Sequence, residues 1–188
     1  MPPKTVGRWL GILVAFSIAS DGLAAQSGPT QQEALAAAFP QASEIERRTA
    51  FLSESDLIAA RELAGPSVEV TQSVVTYYVG IIEDRVAGYA YFDSHRVRTL
   101  PEVLMVVVSP TDEVADIQVL RFAEPPEYKA PAGWLERFVG QPLTDDLSLK
   151  GSIDAITGAT LTAGAVTAAV RRVLAIHELI RQSGEGER

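Results

Sequence analysis

Between residues 68 and 122, apolar positions recur in short runs broken by turn residues, and their period is close to two rather than 3.6. Val74-Val75-Thr76-Tyr77-Tyr78-Val79 lies within a run from Val68 to Ile82. After a Glu83-Asp84 turn, a second run from Arg85 to Phe92 places Tyr89 and Tyr91 on one face. The two runs predict a hairpin. Glu102 to Ser109 is almost continuously apolar, Pro110-Thr111-Asp112-Glu113 reads as a turn, and Val114 to Phe122 returns as its partner. These pairs predict a mostly antiparallel sheet within an α+β fold.

Helical patterns flank the sheet. Thr30-Gln31-Gln32-Glu33 forms a capping box, in which hydroxyl and carboxylate each satisfy an orphan N–H, and the helix it opens runs to Pro40. Ile45, Arg47, Thr49 and Phe51 alternate with their neighbours as in a short strand, and Ser53-Glu54-Ser55-Asp56 starts a second helix that Gly65-Pro66 stops. The proline density from Glu124 to Pro131 predicts an extended, ordered loop, followed by a short helix over Ala132 to Val139 that Gly140-Gln141-Pro142 ends. The last helix, from about Thr162 to Arg181, repeats Val166, Val170, Val173 and Leu174, a spacing that buries one face against the sheet. The domain division expected is an N-terminal segment over 26–66 packed on a domain over 67–182, with a disordered tail over 183–188.

Sixteen basic and 24 acidic residues leave a net charge of −8, with no basic block, so the chain offers no electrostatic footprint for nucleic acid. The absence of cysteine removes disulfides, thiolate chemistry, cysteine-held iron–sulfur clusters and covalent c-type haem. Two histidines, His95 and His177, are too few for a histidine-rich metal centre, and no metal site is expected. Redox chemistry here would need an organic cofactor. Residues 1–25 have the parts of a secretory signal: Lys4 and Arg8, then an apolar run from Trp9 to Ala19, then small residues at Gly22 and Ala24 for cleavage. The apolar run is shorter than the ~20 residues a bilayer span needs. A periplasmic or otherwise extracytoplasmic location is the expectation, with membrane association if the signal is retained.

Just before the last helix stands Asp154-Ala155-Ile156-Thr157-Gly158-Ala159-Thr160. Backbone N–H groups at a helix start lack intrahelical partners and face the positive end of the dipole, an arrangement that binds phosphate. Gly158 frees the backbone to turn, and Ala159 leaves room beside it. Taken singly, each residue is an ordinary cap or turn residue. As a filled pattern, Asp-x-x-Thr-Gly-Ala-Thr, the stretch resembles the signature of the FMN-binding domain family, which includes Rnf G subunits, C subunits of sodium-pumping NADH:quinone reductases and NosR-type regulators. The resemblance implies FMN esterified through its phosphate to Thr160, by an ApbE-type flavin transferase that uses FAD and magnesium. It also implies that Thr157 donates to a phosphate oxygen, that Asp154 orients the loop or serves the transferase, and that Leu161 lies beside the cofactor.

The resemblance extends to Ser94-His95-Arg96-Val97-Arg98-Thr99-Leu100-Pro101-Glu102, expected between two strands and holding the densest positive charge in the chain. His95 or Arg98 near the N1–C2=O edge would stabilise the reduced flavin, with Thr99 and Glu102 as further contacts; a solvated loop is the ordinary alternative. The Glu-Thr-Pro-Gly-Leu-Gly loop of the Rnf and quinone reductase subunits is absent, and its contacts are not carried over. Tyr128 and Trp134 either cover a flavin face or pack the helix on the sheet, while Phe138 reads as core and His177 as a hydrogen-bonded rim residue. The function expected is an exported electron-transfer relay serving membrane-bound quinone, haem or iron–sulfur partners. An exported sensory module that binds FMN or another ligand without turnover is the alternative, and the chain needs no catalytic acid or base of its own.

Overall fold

A computed structural model describes residues 28–184; the signal expected over residues 1–25 and the chain after Gly184 lie outside the described residues. Five strands form one antiparallel sheet in sequence order: β1 (Glu44–Phe51), β2 (Val74–Ile82), β3 (Arg85–Arg96), β4 (Pro101–Val108) and β5 (Val114–Phe122). The helices are α1 (Gln31–Ala38), α2 (Glu54–Ala64), α3 (Ala132–Leu135) and α4 (Thr160–Gln182). The α+β class and the mostly antiparallel sheet expected from the sequence are both present.

Both capping boxes form. The Thr30 hydroxyl accepts from the Glu33 N–H and the Ser53 hydroxyl from the Asp56 N–H, with the two carboxylates reaching back to the cap N–H groups. The β2–β3 hairpin closes through Glu83 and Asp84, both in the left-handed region at φ 49° and 59°, as a two-residue turn with the sheet's own twist requires.

Strand alternation explains the apolar run in β4. Leu104, Val106 and Val108 join the larger core beneath α2 and α4, whereas Met105 and Val107 join a smaller core beneath α1. A strand covered on both faces needs no polar positions. On the α1 side, Gly80 and Gly88 pair across strands, and the Phe39 ring lies flat on them; a Cβ at Gly80 would stand 2.5 Å from that ring. On the other side, Tyr77 and Tyr91 stack with centroids 5.6 Å apart.

Three boundaries differ from expectation. The segment expected between strands, Ser94 to Glu102, is mostly strand: β3 continues to Arg96, β4 begins at Pro101, and only residues 97–100 form the connection. His95 lies opposite Glu102 across this pair, and their mutual hydrogen bond replaces the apolar contact that a periodicity argument looks for. The Pro-rich loop contains one 3-10 turn, Pro126–Tyr128, and the helix expected over 132–139 tightens after Leu135 into a second, Glu136–Phe138. The last helix starts at Thr160, so the end of the motif is its first residue.

Candidate functional site

Residues 144–159 fold into a compact loop that delivers the motif to the start of α4. Leu147 and Ile153 are fully buried and pin it to the core. Arg171, buried on α4, gives its Nε–H to the Ala64 carbonyl at 2.6 Å and Nη1 to the Thr144 and Leu147 carbonyls at 2.6 and 3.0 Å. It thereby ties the end of α2 and the loop to one side chain. Gly151 is obligatory, since a Cβ there would lie 2.1 Å from the Asp146 carbonyl oxygen.

Between buried Ile153 and buried Ala159, residues Asp154, Ala155, Thr157 and Gly158 are exposed. Gly158 adopts φ 81°, with nothing within 4 Å of an added Cβ, so glycine serves the turn there rather than a close approach. Ala159, expected to leave room, instead points its methyl inward and acts as the N-cap, with no side-chain cap bond. The first i→i−4 bond of α4 is Ala163 N–H to the Ala159 carbonyl at 3.0 Å, so the N–H groups of Thr160, Leu161 and Thr162 precede the helical ladder. Of the three shorter helices, α1 and α2 are capped by side chains and α3 is not; α4, the longest, is open at the residue expected to carry phosphate. Thr160 is exposed and Leu161 is 58% exposed.

Asp154 is held from two directions. Its carbonyl accepts the Trp134 indole N–H at 2.7 Å, and its carboxylate pairs with the Arg137 guanidinium. Trp134 is buried and meets Phe138 edge to face at 5.2 Å, so the structure places its ring in the core and its N–H on the motif. Phe138 is fully buried.

A second anchor meets the first turn of α4. Thr162 donates its hydroxyl to the Tyr128 carbonyl at 2.7 Å, and the Arg98 guanidinium lies 5.6 Å from the centroid of the half-buried Tyr128 ring. Buried Glu124, which the sequence did not single out, accepts from the N–H groups of Thr99 and Leu100 at 2.7 and 2.9 Å. Those bonds hold its carboxyl below the usual range. The amides of the β3–β4 connection are therefore already spent on a carboxylate.

Leu161, Ala165, Ala168 and Arg172 recur along one face of α4. Beyond Leu161, the other three border a groove of about 460 Å³ whose far wall includes Ser94, His95 and Arg96. Ala165 begins roughly 7 Å along the axis from Thr160, at 1.5 Å per residue. At the end of the groove sits a charged cluster. His95 contacts Asp93 through Nδ1 at 2.9 Å and Glu102 through Nε2 at 3.1 Å, and Arg172 makes a two-pronged bond to Asp93 at 2.7 and 2.9 Å. Burial alone would lower the His95 pKa, but the hydrogen bonds and charges of the two carboxylates raise it to about 9. Burial opposes ionisation of Asp93, yet His95 and Arg172 hold its pKa below the ordinary value. Both ring nitrogens of His95 are occupied, so it acts on the groove through its charge. Glu102 is fully buried, and its Oε1 has no partner. Arg172 went unread in the sequence because a basic residue on an amphipathic helix usually points to water.

At the opposite end of the sheet, His177 is buried between the Tyr91 hydroxyl, 2.8 Å from Nδ1, and the Asp112 carboxylate, 3.0 Å from Nε2. Among the described residues, no cluster of histidine, aspartate and glutamate has a metal-holding arrangement.

The fold and this end of it define a domain in which a helix, uncapped and opening on a threonine, closes an antiparallel meander. Residues 101–175 match the sequence model of the FMN-binding domain family. The match spans β4, β5, the whole motif and most of α4, and it supports a flavin-binding protein. A comparison with curated proteins returns no match.

Proposed function

We propose that the chain is an exported flavoprotein that carries FMN in phosphoester linkage on Thr160 and relays electrons to or from membrane-bound quinone, haem or iron–sulfur partners. The observation that carries this reading is the exposed Thr160 hydroxyl at the uncapped start of a long helix. The free N–H groups there suit a phosphoryl group, and the Thr157 hydroxyl is on the same exposed loop. Thr160 is the acceptor of its own modification, which an ApbE-type transferase performs with FAD and magnesium.

The residues present fit the group. Leu161 and the small side chains of Ala165 and Ala168 leave a lane from Thr160 to the groove, and the His95–Arg172 end presents fixed positive charge. Bound FMN supplies one- and two-electron redox chemistry. The protein's part would be to hold the phosphate at the start of α4 and to place the charge of His95 and Arg172 near the bound group. His95 lends that charge without giving up a proton, because Asp93 and Glu102 retain both N–H groups. Arg96 lines the same groove and binds the Thr99 carbonyl at 2.7 Å, which sets its guanidinium at the groove wall. Covalent attachment suits a compartment where a dissociated cofactor is lost by dilution.

Intact-mass measurement after coexpression with the transferase tests the proposal. The expected product is heavier by one FMN less one water, and Thr160→Ala stays unmodified. An exported, folded sample with no adduct refutes the covalent reading.

A further inference from the structure

The Arg137–Asp154 pair is hard to explain as a stabilising device. Arg137 is 46% and Asp154 76% exposed at the side chain, and pairs so solvated contribute little to stability. Trp134 presents a related question, because a buried indole N–H has one hydrogen bond to give and this one goes to the motif's backbone. Both contacts converge on Asp154, the first residue of the acceptor motif, from a helical segment that otherwise only packs on the core. Ile153 before it and Ala159 after it are buried and Ile156 packs on the core, so these two bonds set how the start of the exposed loop, at Asp154, stands.

We infer that Trp134 and Arg137 are positioning residues for the transfer of FMN to Thr160: the indole fixes the loop backbone, and the guanidinium orients and offsets the Asp154 carboxylate. The inference rests on the phosphoester reading proposed above. In that transfer, Thr160 Oγ attacks the riboflavin-side phosphorus of FAD. The Oγ–P bond forms while the P–O bond to the adenosine phosphate breaks, AMP leaves with the electron pair, and the hydroxyl proton passes to a base on the transferase. No oxidation state changes. The incoming pyrophosphate is anionic, and an unpaired carboxylate on the acceptor loop would repel it. Arg137 removes that repulsion and leaves the carboxylate in one orientation for the transferase to read.

The test uses unmodified chain, purified ApbE-type transferase, FAD and magnesium, with initial rates taken from intact mass across acceptor concentrations. Arg137→Ala should lower kcat/KM about fivefold, the factor an exposed pair carries at the top of its usual range, and mainly through KM. Arg137→Lys should restore most of the loss, since it keeps the charge. Trp134→Phe, which keeps a ring and loses the donor, should also slow modification, and Arg137→Ala should add little to Asp154→Asn. Unfolding midpoints recorded alongside separate positioning from instability. Wild-type rates in both Arg137→Ala and Trp134→Phe, with wild-type chain modified and Thr160→Ala unmodified, overturn the inference and leave the reading intact. A lysine variant as slow as the alanine one overturns the charge role. If wild-type chain gains no adduct, the phosphoester reading itself fails.

Discussion

Replacing His95 by glutamine should remove a block of stability that the wild-type chain loses only in alkali. The imidazole, 10% exposed, lies between Asp93 and Glu102, which raise its pKa from the ordinary 6.5 to about 9. Converted by linkage, that displacement corresponds to about 3 kcal/mol favouring the folded state while the ring is charged. A group whose pKa is higher when folded contributes fully below its unfolded value and loses the contribution as pH rises through the folded one. The contribution of His95 should therefore be complete near and below pH 6.5 and be lost as pH rises through about 9. His95→Gln has no proton to lose there, so the gap between variant and wild type should narrow by about 3 kcal/mol across that window. Urea unfolding of the unmodified protein at a series of pH values measures both curves. Parallel curves would refute the reasoning, because they would mean that His95 is not held as a cation by its two carboxylates.

Two further outcomes are expected. Burial holds the His177 pKa below 6.5 although Asp112 opposes this, so its contribution is present above that value and is lost as pH falls through the folded pKa; thermal melts from neutral to mildly acidic pH should decline more steeply in wild type than in His177→Phe. Gly80→Ala drives a methyl group into the Phe39 ring and should cost about 1–3 kcal/mol, whereas Gly158→Ala meets nothing and strains only its backbone at φ 81°, for about 1–2 kcal/mol; chemical denaturation in which either change costs nothing would contradict the reasoning for that position.

The elements that read correctly in the sequence were those in which local chemistry and burial agree. Thr30 and Ser53 cap their own helices within four residues, and the alternation through β2 and β5 needs only one covered face to be interpretable. His95 reads as a residue between strands because Asp93, Ser94, His95 and Arg96 show no apolar period. Their strand is held by cross-strand and helix-borne partners, Glu102 and Arg172, that lie far off in sequence. The motif from Asp154 to Thr160 was legible as a contiguous pattern. Its supports, Trp134 and Arg137, were not, since a tryptophan four residues from a phenylalanine on a short helix already has a sufficient explanation in packing. Glu124 was hidden for a similar reason: a glutamate beside two prolines gives no sign that its carboxylate gathers the amides of a different loop.

Because β2 to β5 pair in chain order through short turns, that part of the sheet can form from neighbouring hairpins; β1 joins across the segment that carries α2, and α4 covers the larger core. The hydroxyl of Thr160 stands at an ordered helix mouth only once that last helix is docked. Under the proposed chemistry, the yellow colour of a preparation becomes a census of molecules that have completed folding. A destabilised variant would betray itself as colourless protein, whatever part of the molecule it altered.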